Sequence, residues 1–146
     1  PHANSYERLV PNAHAPTGIG WAYENRTSAI RIPASGPKAR RIEHRVAGGD
    51  VNPYLTVAAV LGAALNGIED GTEPPPPITG NAYEQGLAQL PTSWGEAIET
   101  FATSPQIRRI FPAHLIENFV MTKRQELHYM AELSDEETVE LYLDTV

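Results

Sequence analysis

The sequence predicts an α+β fold in which a few short strands precede a mainly helical C-terminal region. Two observations carry this. Before residue 50 short runs alternate between polar and apolar or β-branched residues; beyond Gly48-Gly49-Asp50 the apolar spacing becomes helical, behind starts such as Asn52-Pro53, Ser93 and Ser104-Pro105.

Residues 1–16 are turn-rich and polar, with Asn4-Ser5-Tyr6, Pro11-Asn12 and Ala15-Pro16, and read as a surface loop. Residues 19–24 and 27–32 are short, aromatic or β-branched runs separated by Asn25-Arg26, either neighbouring strands or one bulged strand. Ala34-Ser35-Gly36-Pro37 breaks the pattern, and a third strand covers residues 40–46. Asn52 then caps a helix with Pro53 at its first position. That helix, residues 54–69, is apolar nearly all round and reads as buried, with small residues that permit close packing.

Asp70-Gly71 ends the helix, and Pro74-Pro75-Pro76-Pro77 forms a stiff extended connector. A proline run also suits an SH3-type partner, but flanking basic residues are missing, so a structural spacer is favoured. Ser93 starts a helix at Trp94 with Glu96 in a capping-box position. Ser104-Pro105 opens a short helix, and Pro112 opens a longer one carrying Leu115, Phe119, Glu126 and Met130, with Lys123 and Arg124 on the exposed side. Ser134 caps the last helix, which runs to Val146 with Glu136-Glu137 complementing its dipole.

With 146 residues, 41% of them hydrophobic, the chain can build a domain-sized core; no apolar run reaches membrane-spanning length and nothing resembles a secretory signal. A soluble, cytoplasmic protein is expected. Cysteine is absent, which excludes disulfides, thiolate metal sites and cysteine nucleophiles. Charge is segregated: up to Asp50 seven basic residues face four acidic ones, a balance of +3, and after it four face fourteen, a balance of −10. The first part therefore suits a small anionic ligand. Nucleic acid is disfavoured, because the basic residues are not interleaved with stacking aromatics and the acidic remainder repels a long polyanion.

Arg26, Arg31, Arg40, Arg41 and Arg45 surround Glu43. In a strand Arg41, Glu43 and Arg45 share one face, so the carboxylate lies between two cations. Such a group suits a divalent cation, and the guanidinium groups suit phosphate or carboxylate oxygens. The same alternation also fits a surface hairpin with a ladder of salt bridges. His114 and His128 are too far apart for a helical metal pair, and no P-loop, nucleophile elbow or Gly-x-Gly-x-x-Gly is present.

Several motifs together give more. Asn4-Ser5-Tyr6-Glu7-Arg8-Leu9-Val10-Pro11, Asn25-Arg26-Thr27 with Arg31-Ile32-Pro33, Arg41-Ile42-Glu43-His44-Arg45, Asn52-Pro53-Tyr54 and Gly80-Asn81-Ala82-Tyr83 occur in this order across nearly the whole chain. In order and spacing the sequence resembles the C-terminal part of the catalytic domain of the glutamine synthetase family, most of all its γ-glutamylamine (γ-glutamylputrescine-type) ligases. The resemblance implies that residues 1–146 form one piece of that domain, with a few antiparallel strands before the helices, and that a β-grasp domain and the first part of the catalytic domain lie upstream.

It also implies the chemistry. ATP would phosphorylate the γ-carboxylate of glutamate, and an amine would displace the phosphate, with Mg²⁺ or Mn²⁺ and guanidinium groups stabilising the transferred charge. By motif match Glu43 resembles a metal ligand; Arg26 and Arg31 resemble the phosphate-holding arginines, with Arg26 also catalytic; Lys38 and Arg41 resemble nucleotide contacts; and Arg8 and Arg45 resemble the clamp on the substrate glutamate. His14 stands where glutamine synthetases proper carry a flap glutamate that deprotonates ammonium. A histidine lacks that carboxylate's attraction for a small cation, so an amine larger than ammonia is expected.

True glutamine synthetase and a non-enzymatic assembly or anion-binding module are the alternatives. The resemblance further implies a homo-oligomer of stacked rings, into which Leu141, Tyr142 and Val146 could insert unless they cap the chain's own core. It places Tyr83 near a residue that some bacterial relatives adenylylate, although an ordinary packed tyrosine accounts for it. The isolated chain is expected to be inactive.

Overall fold

The computed structural model describes residues 2–145, so Pro1 and Val146 of the readings above lie outside the described residues. A 3-10 turn, Ala3–Arg8, interrupts the expected opening loop. Ser5 closes it by accepting from the His2 N–H at 2.9 Å, and Tyr6 packs onto the helical core. Three strands follow: β1, Trp21–Tyr23; β2, Ile30–Ile32; and β3, Glu43–His44. Their spatial order is β1-β2-β3.

Residues 19–24 and 27–32 are thus neighbouring strands, but the pairing is mixed. β1 and β2 run parallel, Trp21 opposite Ile30, and only β2 and β3 are antiparallel, Arg31 opposite Glu43. Parallel neighbours normally need a long crossover. Here six residues suffice because the loop is wound tightly: Glu24 takes φ +49°, the Asn25 side chain accepts from the Thr27 N–H at 3.0 Å, and the buried Ser28 hydroxyl lies 2.8 Å from the Asn25 carbonyl and 3.0 Å from that of Ile30.

The helices are α1, Pro53–Glu69; α2, Trp94–Thr103; α3, Pro105–Ile110; α4, Ala113–Met130; and α5, Asp135–Thr145. Asn52 caps α1 by accepting from the Tyr54 and Leu55 N–H groups, and Ser93 caps α2 by accepting from Glu96 at 3.2 Å. Glu96 reaches back one residue further than a capping box requires, to the Thr92 N–H at 2.9 Å. Ser134 and Glu137 bond reciprocally at the start of α5.

Trp94 and Ile98 of α2, Phe111, and Ile116, Val120 and Met130 of α4 form the buried core. Lys123, expected on the exposed side, instead pairs with Glu126 at 2.7 Å and lies 5.7 Å above the Trp94 ring. Leu141 and Tyr142 pack against the same core, and the Tyr142 hydroxyl accepts from the Ala3 N–H. In this chain they cap its own core.

The expectation that α1 is buried needs correction. None of its residues is buried, and Tyr54, Val57, Leu61, Leu65 and Ile68 lie exposed along it. The described residues cover only the side where Leu55 and Ala59 join the core and Gly62 meets Ile110 of α3. Among the described residues no helix is long and apolar enough to cross a membrane.

Candidate functional site

The sheet has two chemically different faces. Ile30, Ile42 and His44 line an apolar cavity of about 640 Å³ against α1 and α3. Desolvation there holds the His44 imidazole below its ordinary pKa. Arg31 and Glu43 leave the other face as a cross-strand pair, 3.0 Å apart.

A charged ladder is built on that pair. Arg31 also reaches Glu24 at 3.2 Å, and Glu43 takes a second guanidinium from Arg45 at 3.1 Å. The Arg31 and Arg45 side chains are each only 14% exposed. Glu24 further accepts from the Ala34 N–H; that bond first, then the Arg31 guanidinium, holds its carboxyl below the usual range. The salt-bridge ladder anticipated as the plain reading of the alternation is present, and it coincides with the candidate site.

Its membership differs from the strand pattern. Arg41 does not flank Glu43, because β3 begins only at Glu43 and Arg41 is an exposed loop residue bonded to the Ala39 carbonyl. Arg31 takes its place from the neighbouring strand. Lys38 sits exposed in the 3-10 turn Pro37–Ala39 and, like Arg41, forms no hydrogen bond or ion pair with the ladder among the described residues.

Arg45 does more than pair with Glu43. Its second terminal nitrogen donates to the His14 carbonyl at 2.6 Å, which fastens the loop carrying His14 to the end of β3. Arg8 donates to the Arg45 and Val46 carbonyls at 3.4 and 2.5 Å, so the structure brings Arg8, His14, Glu43 and Arg45 together. His14 is exposed with φ +55°. It shares with Tyr23, Glu24, Arg26, Arg31 and the Pro77 to Gly80 segment an open cleft of about 720 Å³. The end of the proline connector, Pro77, and the residues after it therefore form one wall of this cleft, held by the Trp21 indole N–H on the Pro75 carbonyl at 2.7 Å and by the Ile78 N–H on that of Trp21.

The arrangement suits anions better than an isolated cation. Arg26 and Arg31 bring guanidinium groups to the lining of the cleft, while the Nε–H groups of Arg31 and Arg45 are buried without a hydrogen-bond partner. For a divalent metal no group of three ligating side chains occurs among the described residues, and both Glu43 oxygens already accept from guanidinium groups. A metal bound here would need further ligands from outside the described residues.

Sequence reasoning missed two contributors. Glu24 joins the ladder only because its positive φ turns the chain back at the end of β1. The Tyr83 hydroxyl donates to the Ala15 carbonyl at 2.8 Å, a contact across 68 residues that no local pattern signals.

Comparison with known proteins places this geometry. The family model described as "Glutamine synthetase, catalytic domain" matches residues 1–142. Gamma-glutamylethanolamide synthetase GlnA4 of Streptomyces coelicolor is 42% identical over 87% of this chain, which spans 27% of that protein. The glutamine synthetase of Thermus thermophilus is 37% identical over 86%, and gamma-glutamylputrescine synthetase PuuA of Escherichia coli 33% over 98%; the chain spans 30% of each. Among solved structures, a GmaS/ADP complex superposes with a TM-score of 0.76 at 31% identity, covering 99% of this chain and 35% of its own. The chain thus spans about a third of the length of these relatives and, by sequence and fold alike, belongs to the glutamine synthetase catalytic-domain family.

Proposed function

We propose that this chain is the arginine-lined part of a ligase that joins the γ-carboxyl group of glutamate to an amine other than ammonia, at the expense of ATP. The observation that carries the reading is that Arg45 donates both to Glu43 and to the carbonyl of His14.

In the first step a γ-carboxylate oxygen attacks the γ-phosphorus of ATP, and ADP leaves. Arg26 and Arg31, on the wall of the cleft, are assigned to the phosphoryl oxygens, where fixed guanidinium groups stabilise charge spread over three oxygens. Arg8 and Arg45 are assigned to the carboxylates of glutamate. Lys38 and Arg41 remain proposed nucleotide contacts, reached from their exposed loop. Glu43 would supply one ligand to Mg²⁺ or Mn²⁺, and the ion would supply positive charge to offset that of the transferred phosphoryl group.

In the second step the amine lone pair attacks the acyl carbon, the C–O bond to phosphate breaks, and the nitrogen sheds a proton. His14 stands exposed on the amine side and as a neutral imidazole can accept that proton. It offers no fixed negative charge to concentrate ammonium. Glutamine synthetase proper is the second reading, favoured by the 37% identity to the Thermus thermophilus protein. We further propose that the full-length protein is a cytoplasmic homo-oligomer of stacked rings.

The test is phosphate release by the full-length protein with ATP, glutamate and magnesium, comparing ammonium, methylamine, ethanolamine and putrescine. An alkylamine or alkanolamine is expected to outpace ammonium, and Glu43→Ala to lose the release by at least about a hundredfold. Ammonium as the best substrate restores glutamine synthetase; no release with any amine leaves a non-enzymatic module.

A further inference from the structure

We propose that Tyr83 is a positioning residue that ties the His14 loop to the Arg26 loop, so that attack by the amine is registered on the site of phosphoryl transfer. The inference rests on the proposed ligase reading and assigns to Tyr83 a role within it.

Tyr83 lies in the 3-10 turn Ala82–Glu84, far in sequence from both loops. The turn is braced internally, Asn81 accepting from the Tyr83 N–H at 3.1 Å and donating to Glu84 at 2.8 Å. On one side it is fastened to the loop before β2: the Asn25 side chain donates to the Gly80 carbonyl at 2.7 Å, and the Ala82 N–H donates to the Thr27 hydroxyl at 3.0 Å. Arg26 sits between those two attachment points. On the other side the half-buried Tyr83 phenol donates to the carbonyl of Ala15, the residue after His14.

Ala15 is 1% exposed and Pro16 is fully buried, whereas residues 11–14 are exposed and Asn12 and His14 both have positive φ. A strained, solvent-exposed loop thus ends on a fixed footing of two successive carbonyls. Arg45 holds that of His14 and Tyr83 that of Ala15. Arg45 already belongs to the charged ladder; among the described residues Tyr83 forms no hydrogen bond with a side chain assigned to substrate. Its hydrogen bond is the side-chain link from the His14 footing, through a rigid turn, to the segment that carries Arg26. Misplacing one reacting group by a fraction of an ångström is costly in a two-substrate reaction, and a loosened loop also admits water to an acyl-phosphate.

Tyr83→Phe keeps the ring and removes the bond, and Thr27→Val removes one of the two bonds at the other end of the same link, leaving that of Asn25 to Gly80. In the full-length protein both are expected to lower kcat for amine ligation by about tenfold, the scale of one lost hydrogen bond, with KM for ATP unchanged. Amine-independent, glutamate-dependent ATP hydrolysis should rise relative to ligation, and cleavage of residues 10–15 by a broad-specificity protease should quicken. Variants indistinguishable from the unsubstituted protein overturn the proposal. So does an equal fall in ligation and hydrolysis with unchanged cleavage, which marks a general loss of folded protein. Absence of amine-dependent release in the unsubstituted protein instead overturns the ligase reading on which the proposal stands.

Discussion

A carboxylate held by guanidinium groups on both sides, as Glu43 is by Arg31 and Arg45, has a fixed place on the sheet. The same logic applies one step along the ladder at Glu24, and there it has a measurable acid limb. The folded protein holds Glu24 below its ordinary pKa of 4.5, so its contribution is complete above that value and is lost as pH falls through the lower folded value. The stability difference between the unsubstituted protein and Glu24→Gln, read from urea unfolding, should therefore be flat above pH 4.5 and shrink below it. A difference constant down to pH 2 would assign the effect to packing. Residue types alone revealed Glu43, Arg31 and Arg45 as a charged cluster, whereas the replacement of Arg41 by Arg31 required the strand register, which alternation within one strand does not contain.

At the level of elements, capping chemistry is what the sequence states most plainly. Asn52, Ser93, Ser104 and Ser134 all stand at helix starts and all accept from a backbone N–H within the first turn. Packing faces were less legible, since an all-apolar helix such as α1 does not declare which side its neighbours take. The two glycines of α1 make that asymmetry testable. A Cβ at Gly62 would lie 2.6 Å from Ile110 Cγ2 and 2.8 Å from its Cγ1, while a Cβ at Gly67 would meet nothing within 4 Å. Gly67→Ala should stabilise the protein by up to about 1 kcal/mol through helix propensity. Gly62→Ala should destabilise it, because overpacking costs about 1–3 kcal/mol and exceeds that gain. Equal shifts in the two denaturation midpoints would refute the α1–α3 contact.

For the molecule as a whole, the order of strands before helices followed from breakers and periodicity, but the parallel β1–β2 pair did not, because a six-residue connection argues against it until the Glu24 to Ser28 turn is seen. The site was legible as a family of motifs rather than as a mechanism: among the described residues no three ligating side chains cluster, and one apolar side of α1 lies exposed. The 146-residue chain alone is accordingly expected to give no glutamate-dependent ATP turnover under conditions where the full-length protein does, and measurable turnover by the chain would show that its own residues suffice. The proline wall has an optical consequence. Of the two tryptophans, Trp94 is sealed in the core at 4% exposure, whereas Trp21 has its indole N–H on Pro75, beside the cleft. In a Trp94→Phe variant of this chain the remaining tryptophan stands against that wall and packs on Tyr23 of the cleft, so a shift in its emission on adding a ligand would report occupancy in real time without a label.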